Sequence, residues 1–282
     1  VHAWANIGPV YTGHPLIATA AWPCKVPCDP NHVFNKHGWG TPADEYWLTR
    51  THPSFTAGTL PPFLGERISG GTWFMDLNSC SPGTKQRSSQ RIDAAGGRYV
   101  ESAVMTTVPQ YGIGVPMLLG GKDAPTLEAL LAPLGFSMEI AADRVGVASA
   151  IKMCRSVMIK GLESLLVESL TSARAYGVED RVVASLHETF PELDWEKVAS
   201  YMVSRTALHG KRRAEEMREV AVTVREAGLD PWMASATAER QDWMAALKEP
   251  AHLAQVANDA NWREYADRLL AVVAARRTSA AD

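Results

Sequence analysis

Apolar and polar positions divide the 282-residue chain into three stretches with different periods. Residues 1–72 show no sustained alternation and no helical stripe. They hold Trp4, Trp22, Trp39 and Trp47, five of the eight histidines, and prolines at 9, 15, 23, 27, 30, 42, 53, 61 and 62. Prolines this dense break most helices and central strands, so the segment reads as loop-rich. From residue 73 to 143 short apolar runs alternate with helical signals. Strands are predicted at Trp73–Leu77, Tyr99–Met105, Val115–Leu119 and Phe136–Ile140, with helices at Thr84–Ala95 and Asp123–Leu131. Gly96-Gly97 stops the first helix and Asp123 stands where the second would be capped. This is the βαβ rhythm of half an α/β nucleotide-binding domain.

From residue 144 to 282 the period is almost all helical. Ile151, Cys154, Met158, Leu162 and Leu165 are spaced 3, 4, 4 and 3, and predict one apolar stripe facing a core. Further helices are predicted over 179–188, 195–208, 211–226, 232–246 and 261–276, with breaks at His209-Gly210 and at Gly228–Pro231. The expected architecture is α/β followed by all-α: a partial Rossmann-like domain (73–143), then a helical domain (144–282).

Composition changes this picture little but removes several functions. Apolar content of 46%, charged content of 21% and a formal net charge of −3 fit a soluble protein with no bulk attraction to nucleic acid. No run of ~18 apolar residues predicts a membrane span, and no secretory signal is seen. Cys80 and Cys154 lie in apolar or site-like settings that suit reduced thiols and a cytoplasmic location. Cys24, Cys28, His32 and His37 offer zinc-binding atoms, but their spacing is not a common ligand pattern, and no metal is expected.

Two motifs carry the candidate chemistry. Phe74-Met75-Asp76-Leu77-Asn78-Ser79-Cys80-Ser81-Pro82 is a buried strand that delivers a polar loop, with Ser81-Pro82 also suited to cap a helix. Gly146-Val-Ala-Ser-Ala-Ile-Lys152 opens the first long helix, and Lys152, Ser156 and Lys160 at i, i+4 and i+8 share a face at the edge of the stripe. Desolvation and Lys160 would lower the Lys152 pKa there, as a general base requires. A solvated helix face is the plainer reading of the same spacing. His209-Gly-Lys-Arg-Arg213, with Arg205 upstream, could bind an anionic substrate group, or could pair with Glu215, Glu216 and Glu219.

Together the loop and the lysine helix resemble the β-hydroxyacid dehydrogenase superfamily, which includes 6-phosphogluconate and 3-hydroxyisobutyrate dehydrogenases, and in particular a subgroup with its own C-terminal helical domain. The resemblance covers about residues 73–246. It implies an oxidoreductase that moves a hydride between NAD or NADP and a small hydroxy acid, or an imine in related members. It makes Lys152 the proton-transfer residue and places substrate at Asn78, Ser79, Ser81, Thr106, Ser156, His209 and Arg212. It places cofactor at Asn78 and Val104, and implies a homodimer through the helical domain. Five positions depart from the superfamily pattern: Ala148 for a glycine, Ser156 for an asparagine, and Met105-Thr106-Thr107 for Ser-Gly-Gly.

The dinucleotide fingerprint G-x-G-x-x-G does not occur in residues 1–72, and Gly38-Trp-Gly40 is not followed by a helical pattern. Two expectations follow. NAD(P)H should bind this chain at about millimolar Kd or weaker. The alternative function is a truncated, non-catalytic homologue that keeps the helical domain.

Overall fold

The computed structural model describes residues 16–19, 71, 73–248 and 261–279. They pack as two compact units. One holds the described residues up to Cys154 together with Arg225–Gly228; the other holds Arg155–Val224 and the residues from Leu229 onward. The α/β-then-helical order holds.

The first unit is built on a five-stranded sheet in the order β1 (Leu16–Thr19), β2 (Trp73–Asp76), β3 (Arg98–Val104), β4 (Met117–Gly120), β5 (Met138–Ala142). β1 lies within the segment read as loop-rich and corrects that reading at four residues; the rest of that segment is outside the described residues. β1, β2 and β3 run parallel, with Asp76 in register with Glu101. β4 runs antiparallel to β3, pairing Gly120 with Glu101, and β5 is parallel to β4.

That reversal corrects the simple βαβ rhythm. A parallel return needs a crossover of a dozen or more residues, usually helical. Residues 105–116 instead carry Pro109, Gly112, Gly114 and Pro116, with a one-turn helix, α2 (Val108–Tyr111), and a 3-10 turn at Gly112–Gly114. Short helix-breaking sequence of this kind turns the chain back instead of carrying it over the sheet.

Helix α1 (Pro82–Ala94) begins at the Ser81 cap, whose Oγ accepts from the Thr84 N–H at 3.3 Å, with Pro82 in the first turn where its missing N–H costs nothing. It ends where Gly96 turns left-handed (φ 80°) and the Gly97 N–H bonds back to the Ile92 carbonyl. Phe74, Tyr99 and Ile92 form one small core; Met75, Val100, Leu119, Leu127 and Phe136 belong to another, which helix α3 (Ala124–Leu131) helps to close. With apolar groups on both faces, β2 and β3 read as continuous buried runs.

Helix α4 (Val147–Tyr176) opens in the first unit and continues into the second. There it is joined by α5 (Glu179–Thr189), α6 (Trp195–Glu226), α7 (Trp232–Lys248) and α8 (Trp262–Ser279). Leu166, Leu170, Val203, Met244, Trp262 and Leu269 share the helical core. Among the described residues no helix is long and apolar enough to cross a membrane.

Two helical expectations are overturned. The break at His209-Gly210 is absent, and α6 runs through it. Gly210 is buried against α7, where an added Cβ would stand 2.6 Å from the Gln241 carbonyl oxygen and 3.1 Å from the Ala245 nitrogen. This glycine lets two helix backbones approach and does not end a helix. The apolar stripe on α4 also faces outward: Ile151 is 44% exposed, Met158 73% and Leu165 55%. The buried face carries Met153, Ser156, Lys160, Glu163, Val167 and Leu170. Its charges have partners on α6: Lys160 lies 3.3 Å from Glu216, and Arg213 donates to Glu163 at 2.6 Å. Paired charges can be buried where unpaired ones cannot.

Glu163 is fully buried, and burial raises its pKa against the pull of Arg213, Arg205 and Lys160. Removing one partner of such a pair strands the other charge. Arg213→Ala is expected to cost about 3–5 kcal/mol, read as a lower urea midpoint with an unchanged slope.

Candidate active site

The site starts from Asp76, the last residue of β2, which is 2% exposed. Its Oδ1 accepts from the Asn78 backbone N–H (2.9 Å) and from Asn78 Nδ2 (2.8 Å), and lies 3.0 Å from Lys85 Nζ. Its Oδ2 accepts from the Tyr99 hydroxyl at 2.6 Å. Lys85, reaching back from α1, also donates to the Asp76 carbonyl at 2.8 Å. A carboxylate with this many donors fixes the residues that supply them. Asn78 is thus locked, and the loop 77–81 has a defined course out of the strand.

Ser79 is the half-buried residue of that loop. Lys152, 73 residues later and also half-buried, donates from Nζ to Ser79 Oγ at 2.6 Å. The lysine helix and the polar loop therefore meet. They do so beyond the carboxyl end of a parallel strand, where open α/β sheets receive ligands.

The other residues singled out in the sequence have surroundings of their own. Ser81 is fully buried, caps α1 and donates to Glu226 Oε1 at 2.9 Å, while Glu226 Oε2 accepts from the Gly83 N–H at 2.9 Å. Val104 ends β3 inside the apolar core, and Thr106 is exposed just beyond it. In the helical unit, Ser156 accepts from Lys160 Nζ at 3.1 Å, His209 is exposed, and Arg212 pairs with Glu216 at 3.0 Å. The buried cation of that basic run is Arg213, one residue on. Cys24, Cys28, His32 and His37 lie outside the described residues. Among the described residues no three His, Cys, Asp or Glu side chains are grouped to hold a metal.

Sequence reasoning missed the buried cluster that supports the loop. Asp76, Lys85, Tyr99 and Glu101 are each 1–2% exposed. The available signal was a charge at the end of one apolar strand and in the middle of the next. Burial alone would lower the Lys85 pKa, but Asp76, Cys80 and Glu101 outweigh it and the net shift is upward. Burial, then Asp76, raises the Tyr99 pKa well above its usual value.

Residues 173–244 match a family described as a domain of unknown function, DUF1932. That span runs from the end of α4 into α7 and contains the Arg205–Glu216 run, whereas Ser79 and Lys152 lie before it. A curated relative, the uncharacterized 28.5 kDa protein in the 7S RNA 5′ region of Methanothermus fervidus, is 29% identical over 186 residues, covering 65% of this chain and 69% of that protein. Among solved structures, the conserved hypothetical protein from Sinorhizobium meliloti 1021 is 40% identical with a TM-score of 0.63, covering 71% of this chain and 66% of that one. The conserved protein MTH1747 is 32% identical with a TM-score of 0.54, covering 62% and 66%. It is described as of unknown function and structurally similar to 3-hydroxyacid dehydrogenases. The chain thus spans about two thirds of the length of these two structures. The resemblance read from the loop and the lysine helix is borne out at the level of the β-hydroxyacid dehydrogenase superfamily.

The Asp76 cluster has a pH signature. Lys85 and Tyr99 both have folded-state pKa values above their ordinary 10.5 and 10.0. A raised folded pKa contributes stability that is complete below the unfolded value and is lost as pH rises through the folded one. The melting temperature of the wild type is therefore expected to fall as pH climbs above 10.0, with Tyr99→Phe less stable at neutral pH but losing less on the alkaline side. Parallel alkaline slopes in thermal melts would remove Tyr99 from the cluster's energetics.

Proposed function

We propose that the chain is an NAD(P)-dependent oxidoreductase of the β-hydroxyacid dehydrogenase type, acting on a small hydroxy acid. The observation that carries this reading is the hydrogen bond between Lys152 Nζ and Ser79 Oγ, which joins the lysine and the loop that the superfamily resemblance assigns to chemistry and to substrate. The substrate hydroxyl would lie beside this pair, within reach of Lys152 Nζ. Lys152, in its neutral form, takes the hydroxyl proton as the carbon loses its hydrogen with both bonding electrons, leaving a carbonyl and an ammonium group. A bound nicotinamide supplies the acceptor for that hydride.

The residues present fit the nicotinamide end of such a cofactor, because the polar loop stands past the carboxyl end of β2. Asn78, held by Asp76, would line it. Thr106, exposed just past the end of β3, would lie toward the substrate. A cytoplasmic setting suits the thiols of Cys80 and Cys154.

The test is oxidation of small 3-hydroxy acids at millimolar NAD and NADP, followed at the nicotinamide absorbance. Lys152→Ala is expected to lower kcat by roughly 10²–10⁴-fold, the usual contribution of a positioned acid–base group. An unchanged kcat removes Lys152 from the mechanism. A second reading has its own support in the missing G-x-G-x-x-G of residues 1–72: a non-catalytic homologue that keeps the helical domain. Absence of both turnover and any change in NADPH fluorescence would favour it. Imine reduction uses the same hydride geometry, so cyclic imines belong in the same screen.

The outward stripe of α4, with Trp232 (77% exposed) and Met233 (56%) on α7, supports a homodimer joined through these helices. Light scattering at micromolar concentration is expected to give twice the chain mass. Met158→Glu, on the most exposed residue of the stripe, should return the monomer.

A further inference from the structure

We propose that Glu101 is a positioning residue for Lys152 and acts through the first turn of α4. The proposal rests on the reading of Lys152 as the proton-transfer group. Glu101 lies in the middle of β3 and is 1% exposed. Both of its oxygens are turned to the start of one helix. Oε1 accepts from the Gly146 N–H at 2.7 Å and the Ala148 N–H at 3.0 Å, and Oε2 accepts from Ser149 Oγ at 2.9 Å. Helix starts leave several N–H groups without intrahelical partners, and they favour negative charge. Here the cap is not a local side chain; it comes from a sheet strand 45 residues earlier.

Two glycines show that the arrangement is built. Gly120 is the register partner of Glu101 on β4, and a Cβ there would stand 2.3 Å from Glu101 Oε1. The carboxylate can reach α4 only across a residue with no side chain. Gly146 turns into the helix at φ 108°, where other residues are strained. On its other side Gln86 Nε2 donates to the Val145 carbonyl at 3.3 Å. The segment 145–149 is thus held from both sides.

Lys152 is one turn beyond Ala148, on the same helix face. A helix advances about 100° per residue. Slippage of the opening turn by one residue would therefore swing Lys152 away from Ser79. Asp76, in register with Glu101 on the adjacent strand, holds the other partner through Asn78. Neighbouring carboxylates thus set the two halves of the Lys152–Ser79 pair.

The test uses the full chain, reductively ¹³C-methylated on its lysines, with the Lys152 resonance assigned by its loss in Lys152→Arg. Glu101→Ala is expected to collapse that resonance onto those of exposed lysines such as Lys122. Glu101→Gln keeps an acceptor for the two backbone N–H groups and is expected to leave it in place. Asp194→Ala removes an ordinary cap from α6, where the Lys197 N–H donates to Asp194 Oδ1 at 3.1 Å, and controls for loss of stability alone. Gly120→Ala, which crowds the carboxylate, is read in the same way should Glu101→Ala fail to fold. Where turnover is measurable, Glu101→Ala is expected to lower kcat on the order of 10²-fold, the scale of a small misplacement, with KM unchanged. A Lys152 resonance unmoved by Glu101→Ala and by Gly120→Ala, despite lower stability, overturns the proposal. A resonance that moves in a protein whose turnover survives Lys152→Ala instead upholds the clasp and sinks the catalytic reading.

Discussion

The carboxylate of Asp76 is the point on which the first unit depends. It is out of water, so every hydrogen bond it makes must come from the protein. Those bonds come from the loop after β2, from α1 and from β3, and they tie three separate segments to one pair of oxygens. Apolar packing of Met75, Val100 and Leu119 could hold the sheet together without it. Leu77 and Cys80 are placed by burial, but packing alone could not fix Asn78 and Ser79 between them, whose polar side chains gain nothing from apolar contact.

The helical unit solves a similar problem differently. Glu163, Arg213, Lys160 and Glu216 bring charge between α4 and α6, with Arg205 at the edge, 3.7 Å from Glu163. Apolar residues in their place could be as stable or more so. An ionic interface adds a condition on register, because a shifted helix would leave buried charge unpaired. Gly210 adds a steric condition, since it sets how closely α6 and α7 approach. These features lie within the DUF1932 span or face it, and they distinguish this helical unit from a generic apolar bundle.

Local chemistry was legible in the sequence wherever it depended on neighbours in the chain. The strand at 73–76, the Ser81-Pro82 start of α1 and the glycine stop at 96–97 all use contacts within a few residues. The lysine helix and its loop were legible because their residues form motifs. The buried face of α4 was not. Apolar spacing pointed to Ile151, Met158 and Leu165, and only knowledge of Arg213 and Glu216 on a distant helix could show that Lys160 and Glu163 go inside. Gly210 misled for a related reason: a glycine that admits another backbone looks in sequence like one that ends a helix. The reversal between β3 and β4 was written in the prolines and glycines of residues 105–116, but the alternation of strand and helix concealed it.

The distances along the chain between the site's partners carry a kinetic meaning. Lys85 and Tyr99 lie 9 and 23 residues from Asp76, whereas Ser79 and Lys152 are 73 apart. Closing a longer loop costs more entropy, and contacts of high sequence separation slow folding. The Asp76 cluster can therefore assemble while the chain beyond residue 101 is still unfolded. The lysine closes the longest of these loops, onto a stretch that Asp76 holds independently of it. The loop's bonds to Asp76 do not involve the lysine helix, so the pair can open and re-form without the sheet coming apart.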